Sequence, residues 1–450
     1  MSRRQAEPEG RRFRADAIDP RALDQDARRV VKRLQRAGHE AYLVGGCVRD
    51  LLIGRQPKDF DVATSASPSA IRRLFRNGRI IGRRFRLVHI YYGDRILETA
   101  TFRREPERDG DDDDLLIRED NEYGTASEDA LRRDFTVNGL FLDPGTLEVV
   151  DYVEGLEDLE DRLLRTIGDP FRRMAEDPVR IMRAVKFATR LDFEIEEETW
   201  DAMCDSAPDL ARSAPARVSE EIMRLLRSGN SQGAFKMLWA CGALEILCPE
   251  HYQFLGRYRP RPRENSRQAG DFFAMLEALD HRVSQGYEPS IALCLAVLYG
   301  VLVEDRMDRG SDEELVGVDP YVAEVADDLL APLVHRARLS RRDAGRARRV
   351  LAMQPAFLHP TPATDGERGG RFSPLLFTLQ EGFEEALELF RLRMLAKGKG
   401  SDLVQAWGAR YQRAQDASEE ELQAEQRRLK KGKKRRRRRP RRGKRPSGPS

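Results

Sequence analysis

The sequence contains few cysteines and lacks a long apolar run. Its five cysteines include no Cys-x-x-Cys pair, which argues against a disulfide framework or a Cys-rich zinc site. The longest near-continuous apolar stretch, Ile291 to Val303, is shorter than a bilayer span. The N-terminal arginines are followed by no apolar segment of the kind that a secretory signal needs. We therefore expect a cytoplasmic protein with no transmembrane segment.

Positive charge is concentrated at the C-terminal end. From Arg427 to Arg445 there are 15 lysines and arginines and no acid, so the net charge of +3 conceals a body with −12. Such a segment has nothing to bury, and polycations bind polyanions through counterion release. We expect residues 426–450 to form a disordered, RNA-binding tail; a tail that only solubilises the protein or binds acidic lipids is the alternative. The tail residues selected as RNA contacts are Lys433, Lys434, Arg435 and Arg436.

The periodicity of apolar residues changes along the chain. Residues 1–21 are polar and charged, and we expect them to be disordered. Strand and helix patterns alternate over residues 22–150, where Ser67 and Pro68 predict the N-cap and first turn of a helix. Helical patterns dominate after about residue 155, among them those over residues 179–191 and 234–247. The sequence therefore predicts an α+β fold, with a mixed N-terminal domain at 22–150 and helical regions at 151–230 and 231–425. A segment with 10 acids and two arginines, residues 105–122, is predicted to be a mobile loop.

The first chemical motif runs LVGGCVRDLLIGRQPKDFDVA from residue 43. Gly45 and Gly46 follow a strand and let the backbone approach a ligand, and Arg49 can neutralise phosphate charge. Asp59 and Asp61 alternate on a predicted strand, so both carboxylates face one side. Paired carboxylates suit Mg²⁺. Separately, Gly-Gly and Asp-x-Asp are common in turns and on exposed strands, and only their combination is specific.

Glu98 lies on the same face of its predicted strand as Ile96, Ala100 and Phe102. An acid on an apolar face is costly unless it is paired or bound to a metal. Glu98 is therefore a candidate third carboxylate of the metal site. A salt bridge to a nearby arginine explains it almost equally well.

Two further clusters carry polar side chains suited to a nucleotide. Arg133 can bind a triphosphate and Asp134 can bind ribose hydroxyls or support a metal site, although a surface ion pair is the simpler interpretation. Asp177 and Arg180 lie three residues apart on a predicted helix and can complement the Watson–Crick edge of adenine. Asp177 before Pro178 also has the chemistry of a helix N-cap.

In this order and spacing, the three clusters resemble the class II group of tRNA CCA-adding enzymes and bacterial poly(A) polymerases, within the DNA polymerase β nucleotidyltransferase superfamily. The segment from Ile80 to Ile90 is similar to one that marks bacterial poly(A) polymerases, and the arginine-rich segment 336–349 and the basic tail fit that branch. The resemblance implies a polymerase β-like head followed by an all-helical neck, body and leg.

The resemblance also implies roles for individual residues. Two Mg²⁺ ions, with Mn²⁺ as a possible substitute, would be held by Asp59 and Asp61, with Glu98 as the third ligand. Asp134 would join these two aspartates in catalysis. The residues implied to bind the nucleotide are Gly45, Gly46, Arg49, Arg133, Asp177, Arg180 and Arg183. The RNA contacts expected in the helical region are Arg336, Arg338, Arg341 and Arg342.

The implied activity is template-independent addition of AMP from ATP to RNA 3′ ends, with mRNA turnover as its purpose and the RNA-degradation machinery as a possible partner. The 3′-hydroxyl would attack the α-phosphate and pyrophosphate would leave. A CCA-adding enzyme is the first alternative, since it shares every catalytic motif. A catalytically dead RNA-binding adaptor is a distant alternative. The acidic loop enlarges a segment that helps set nucleotide choice in this group, so nucleotide specificity is left open.

Overall fold

The computed structural model describes residues 10–82, 86–105, 122–259, 267–308, 318–358 and 372–437. Contacts divide the chain into two units. The N-terminal unit comprises Met1–Ser213 and Cys241–Ile246, and the helical unit comprises Ala214–Ala240 and Leu247–Ser450. The finer division into head, neck and body stays a prediction. No described helix is long and apolar enough to span a bilayer.

The N-terminal unit is built on an eight-stranded mixed sheet of order β1-β8-β7-β2-β3-β6-β5-β4. Only β3 and β6 pair in parallel within it. Two further short strands, β9 (Leu163–Leu164) and β10 (Glu194–Ile195), pair with each other. The strands of the large sheet are β1 (Arg11–Arg14), β2 (Ala41–Val44), β3 (Asp61–Thr64), β4 (Gly78–Ile81), β5 (Leu87–Tyr92), β6 (Arg95–Thr101), β7 (Leu140–Asp143) and β8 (Glu148–Asp151).

Helices pack against this sheet and predominate in the described residues that follow it. The helices up to Ser206 are α1 (Gln25–Arg36), α2 (Gly46–Leu52), α3 (Pro68–Leu74), α4 (Ala126–Leu131), α5 (Gly155–Glu160), α6 (Pro170–Glu176), α7 (Val179–Leu191) and α8 (Glu197–Ser206). Those that follow are α9 (Pro215–Leu226), α10 (Ser231–Ala240), α11 (Ala243–Leu247), α12 (Pro249–Leu255), α13 (Arg267–Ser284), α14 (Ile291–Asp308), α15 (Pro320–Arg336), α16 (Arg341–Ala352), α17 (Gln354–Leu358), α18 (Pro374–Thr378), α19 (Phe383–Ala396), α20 (Ser401–Gln415) and α21 (Glu419–Arg437). The α+β class predicted from the sequence is confirmed.

Local signals explain where several elements begin. The Asp24 side chain accepts hydrogen bonds from the backbone N–H groups of Asp26 and Ala27 and so caps α1. Ser67 caps α3 and Pro68 occupies its first turn, as the sequence predicted. The helix predicted from Val179 to Leu191 is α7.

The two faces of the sheet are packed differently. Helices α1 and α3 contact β2 to β5, and the buried side chains there include Val62 and Val88. On the opposite face, which we call the front face, α4 covers an apolar cluster that includes Tyr42, Ala63 and Phe141. Because alternate residues of a strand share a face, strand pairing also assigns residues beyond this cluster to the front face. One such row reads Val44, Asp61, Glu98, His89, Arg79 across five strands.

Three expectations need correction. Residues 11–14, predicted to be disordered, form the edge strand β1, which pairs with β8. All four side chains of β1 are exposed, so the strand is attached to β8 through backbone hydrogen bonds. For the same reason its sequence shows no alternation of apolar and polar residues. A single helical pattern predicted over residues 234–247 is divided between α10 and α11, because Gly242 between them has φ +82°. Finally, α21 continues to Arg437, beyond the predicted start of the tail at residue 426.

Some sequence predictions fall outside the described residues. They concern residues 106–121 of the acidic loop and residues 438–450 of the tail. The segment from Ile80 to Ile90 is described except for residues 83–85.

Candidate active site

The N-terminal unit contains a cleft of about 490 Å³. Side chains from all three sequence clusters line it. The predicted residues that line the cleft are Gly45, Gly46, Arg49, Asp59, Asp61, Arg133, Asp134, Asp177, Arg180 and Arg183. Glu98 is the one predicted residue of this site that does not line it.

The glycine pair forms the turn between β2 and α2. Gly45 has φ +74°, a conformation that side chains other than glycine rarely adopt. A Cβ atom at this position would also lie 3.1 Å from Nη1 of Arg133. The turn therefore favours glycine, and a side chain here would also crowd an arginine that lines the cleft.

The aspartate pair lies at the start of β3. Asp61 is the first residue of the strand and Asp59 lies just before it, so the strand predicted from Asp59 begins two residues later. The Asp61 side chain is exposed to solvent in the cleft. It is therefore only partly desolvated, by the walls of the cleft, and is not part of the hydrophobic core. That desolvation, with the negative charges of Glu98 and Asp59, raises the pKa of Asp61 to about 6. Carboxylates that repel one another in this way fit a divalent cation.

The position of Glu98 differs from the prediction. It pairs with Asp61 in the register of β3 and β6, but its side chain is 56% exposed. The buried residues of β6 are Leu97, Thr99 and Thr101, on the opposite face. Glu98 shares a face with apolar residues but is not buried, and Ile96 on the same face is also 48% exposed. Among the described residues, no group of three or more His, Cys, Asp or Glu is arranged to hold a metal ion, so a third-ligand role stays a prediction.

Arg49 is buried and held from several sides. Its guanidinium donates to Oδ1 of Asp50 at 2.9 and 2.6 Å and to Oδ1 of Asn138 at 2.5 Å. It also lies over the Phe187 ring, 5.3 Å from the centroid. Burial lowers the pKa of Arg49, while Asp50 opposes that shift. The guanidinium is thus fixed at the cleft wall with its charge partly compensated.

The Asp134 side chain is buried, and hydrogen-bond donors contact both of its oxygens. Its Oδ2 accepts from Nε of Arg183 at 2.9 Å, and its Oδ1 accepts from the Asn138 amide at 3.2 Å and the Phe135 N–H at 2.9 Å. Burial alone would raise the pKa of Asp134, but Arg183 and these hydrogen bonds lower it to about 2. The sequence left open a direct or a supporting role for Asp134. Since both oxygens are already bonded, the geometry favours the supporting role.

The proposed base-reading pair lies where α6 ends and α7 begins. Asp177 is the C-cap of α6, and Pro178, not Asp177, is the N-cap of α7. Arg180 is buried and donates through Nη1 to the backbone carbonyl of Arg173 at 2.5 Å. Burial, together with the charge of Arg173, lowers the pKa of Arg180 to about 10. Arg180 also lies 3.8 Å from a Glu176 oxygen. A guanidinium in a crevice is suited to select a base edge, because an unmatched hydrogen bond there is expensive.

Sequence reasoning missed several residues that line the cleft. Phe187 and Arg190 continue the three- and four-residue spacing of Arg180 and Arg183 along α7, so helical periodicity could have found them. Asn138 gave no comparable signal, because its contacts join segments far apart in the sequence. The other lining residues that were not selected for a role are Cys47, Asp50, Lys58 and Arg132. Burial raises the pKa of the Cys47 thiol to about 12, so it is not a nucleophile at neutral pH.

Three family models match the chain. Residues 41–165 match "Poly A polymerase head domain", and residues 192–255 match "Probable RNA and SrmB- binding site of polymerase A". Residues 318–443 match "Polymerase A arginine-rich C-terminus". Poly(A) polymerase I of Haemophilus influenzae is 34% identical over 420 residues, which cover 92% of this chain and 90% of that protein. The chain belongs to the bacterial poly(A) polymerase family. It is accordingly an RNA nucleotidyltransferase.

The bacterial poly(A) polymerase family is close to the CCA-adding enzymes. The CCA-adding enzyme of Limosilactobacillus reuteri is 39% identical over 228 residues, which cover 51% of this chain and 55% of that enzyme. The fold is also that of the Bacillus stearothermophilus CCA-adding enzyme in complex with CTP, with a TM-score of 0.62 and 22% identity. That likeness covers 86% of this chain and 82% of the other.

The arginines predicted to bind RNA in this poly(A) polymerase family member fall into two groups. Arg336 makes a two-pronged ion pair with Glu250, with both N–O distances 2.8 Å, so its guanidinium has a structural partner. Arg338, Arg341 and Arg342 are exposed. The tail candidates, Lys433, Lys434, Arg435 and Arg436, lie in α21, and their side chains lie outside the described part of the structure.

Proposed function

We propose that this protein adds AMP from ATP to RNA 3′ ends without a template. The observation that carries the proposal is the cleft, in which a glycine turn, paired carboxylates and a base-reading pair open to one volume. The glycine turn suits the triphosphate of ATP, and the paired carboxylates suit the divalent cation that accompanies it. Asp177 and Arg180 suit the adenine base. Membership of the poly(A) polymerase family supports the same activity.

The proposed chemistry uses charges already held in the cleft. Arg49 and Arg133 bind the triphosphate, with the Gly45 turn allowing its close approach to the backbone. Two Mg²⁺ ions, or Mn²⁺ in their place, held by Asp59 and Asp61 would stabilise charge on the attacking and leaving oxygens. Asp134 holds Arg183 in position without taking part in the exchange of bonds. Because no protein nucleophile is used, the 3′-hydroxyl attacks the α-phosphate directly and pyrophosphate leaves.

Base selection is assigned to Asp177 and Arg180. A carboxylate accepts a hydrogen bond from the amino group of adenine, and a guanidinium donates to its ring nitrogen. Both side chains line the cleft that also contains the paired aspartates. The protein itself would therefore replace the template strand.

The second candidate is CCA addition to tRNA, supported by the relative from Limosilactobacillus reuteri. That similarity covers only 51% of this chain, whereas the poly(A) polymerase I similarity covers 92%. The family model that matches residues 318–443 is also described as a polymerase A C-terminus. These observations favour polyadenylation. A dead RNA-binding adaptor is disfavoured because both aspartates and the glycine turn line one cleft.

A nucleotide-incorporation assay tests the proposal. The purified chain is incubated with Mg²⁺, a short unstructured RNA or a tRNA lacking CCA, and each nucleoside triphosphate separately. Long homopolymers formed only with ATP on the short RNA are expected. Addition that stops at CCA and only on tRNA would establish the second candidate. Asp59→Ala is the negative control, because it should abolish incorporation while RNA binding is retained.

A cellular role follows from this chemistry. We propose that RNAs tailed in the cytoplasm enter turnover and that the RNA-degradation machinery is a partner. The proposed contact region is residues 192–255, which match the model described as "Probable RNA and SrmB- binding site of polymerase A". RNA half-lives in cells with the wild-type or the Asp59→Ala chain test this role, and unchanged half-lives would contradict it.

A further inference from the structure

The front face of the sheet is covered over only part of its width. Over β2, β3, β7 and β8, side chains such as Tyr42, Phe141 and Val150 are buried beneath Ala126 and Ala130 of α4. Over β4, β5 and β6 the same face remains accessible. This part of the face also carries Leu87, Glu98 and Ala100. We call five of its residues, Arg79, Ile81, His89, Tyr91 and Ile96, the open strip.

The open strip is apolar and aromatic despite its exposure. Ile96 is 48% exposed and Ile81 is 39% exposed, while Tyr91 is partly accessible beside them. The Arg79 guanidinium lies over the Tyr91 ring, 5.5 Å from its centroid, and the His89 and Tyr91 rings are 6.3 Å apart. Exposed apolar groups gathered on one face mark an interaction surface more often than isolated ones do.

The strip is continuous with the paired carboxylates. Asp61 lies directly opposite Glu98, Glu98 opposite His89, and His89 opposite Arg79. Adjacent strands are separated by about 4.8 Å, so Arg79 lies roughly 14 Å from Asp61 along this row. A polynucleotide whose 3′ end reached the carboxylates could therefore lie across all three strands.

We propose that the open strip binds the 3′-terminal nucleotides of the RNA acceptor. This inference rests on the proposed function, since it assigns the acceptor that the same cleft would extend. Single-stranded RNA is bound by aromatic side chains that stack on bases and by cations that contact phosphates. Tyr91 and His89 provide the rings, Ile81 and Ile96 provide apolar contacts for bases and sugars, and Arg79 provides the cation. None of these contacts reads base identity, which suits an enzyme that must accept its own growing product.

Adjacent residues of the edge strand provide a matched test. Ile81 lies on the open strip, whereas Ile80 pairs with the buried Val88 and lies on the opposite face. The two isoleucines have similar exposure, 39% and 44%. Ile81→Glu and Ile80→Glu therefore introduce the same charge at adjacent, similarly exposed positions, but only the first repels RNA on the strip.

The measurement is steady-state incorporation of ATP into a short oligoadenylate. We expect Ile81→Glu and Tyr91→Ala to raise the KM for RNA roughly 5- to 100-fold, the range of one lost base-stacking contact. The KM for ATP and the rate at saturating RNA should change less than about twofold. Tyr91→Phe should restore the wild-type KM for RNA, because it retains the ring.

Several outcomes would overturn the inference. They are equal RNA KM values for the Ile80→Glu and Ile81→Glu variants, or a rise in the KM for ATP that matches the rise for RNA. Loss of a dimer in sedimentation of Ile81→Glu, with an unchanged KM for RNA, would assign the strip to a second copy of this chain. An inactive wild-type protein would instead contradict the proposed function. Thermal melts of each variant separate misfolding from lost binding.

Discussion

The side-chain amide of Asn138 donates a hydrogen bond from Nδ2 to Oδ1 of Asp134, at 3.2 Å. The oxygen of the same amide accepts from Arg49. An amide can accept from a guanidinium through its oxygen and at the same time donate to a carboxylate through its nitrogen. Asn138 thus connects Arg49 of α2 with the acid that holds Arg183 on α7.

Replacing this amide by an acid tests the connection. Asn138→Asp keeps the size of the side chain but places a second carboxylate against Asp134. We expect kcat/KM for ATP to fall about 10- to 100-fold, since a buried donor is exchanged for a repelling charge. Gln35→Glu is the matched control, because the Gln35 amide donates to Asp143 at 3.1 Å, and neither residue lines the cleft. It should lower stability and leave the KM for ATP unchanged.

The paired aspartates should make thermal stability depend on divalent cations. Since Glu98 and Asp59 already oppose the charge of Asp61, Mg²⁺ should raise the melting temperature of the wild-type chain. Asp61→Asn should melt at a higher temperature than wild type without Mg²⁺ and respond little to its addition. Incorporation activity should be abolished. Asp205→Asn, at an exposed position, should behave as wild type, and a Mg²⁺ response retained by Asp61→Asn would contradict the metal assignment.

Arg180 should affect the choice of base more than the affinity for triphosphate. Arg180→Ala is expected to lower incorporation of ATP by about 10-fold or more relative to the other nucleotides, from the loss of one charged hydrogen bond. Arg190→Ala is the comparison, because Arg190 lies further along α7 and pairs with Asp50 at 3.2 Å. It should weaken all four nucleotides alike. Equal losses for all four in Arg180→Ala would exclude base reading.

The arginines of the helical unit should differ in their salt dependence. Replacing the exposed Arg341 and Arg342 by alanine should weaken RNA binding and reduce the log–log salt slope by roughly 0.7 per lost phosphate contact. Deletion of residues 427–450 should do the same on a larger scale. Arg336→Ala should instead lower the free energy of unfolding, since it leaves Glu250 without its ion-pair partner. Filter binding between 50 and about 300 mM salt measures the slopes, and unchanged slopes would assign these arginines another role.

His251 should make the stability of the helical unit depend on pH. Its ring is buried, with Nε2 2.9 Å from the Leu298 carbonyl oxygen, and burial lowers the pKa of His251 from 6.5 to about 4. The unfolded chain therefore binds a proton that the folded chain does not. About 3 kcal/mol of stability should be lost as the pH falls from 6.5 to 4.

Urea titrations at several pH values test this loss. His251→Gln should flatten the pH dependence, and replacement of the exposed His281 by glutamine should leave it intact. An equal pH dependence in the wild-type and His251→Gln chains would contradict the assignment.

Sequence patterns predicted those parts of the fold that depend on local chemistry. The Ser67 cap, the extent of α7 and the glycine turn at Gly45 each follow from neighbouring residues, and the structure contains all three. The ten cleft residues were selected from three short motifs and from the family resemblance that those motifs carry. The remaining features depend on contacts between distant segments. Neither the pairing of β1 with β8 nor the contacts of Asn138 leaves a local pattern.

Glu98 shows a different limit. Alternation correctly grouped it with Ile96 and Ala100, but alternation does not state whether another element covers that face. The topology of the chain decides which half of the sheet α4 covers. An alternating pattern within one strand carries no information about it.

The pairing of β1 with β8 has a practical consequence for anyone who trims this chain. A version beginning after Arg14 would leave the backbone N–H and C=O groups of β8 without partners on one side. Exposed strand edges of this kind template association between molecules. Shortened preparations should therefore precipitate or form higher assemblies on concentration, although every residue of the catalytic cleft is retained.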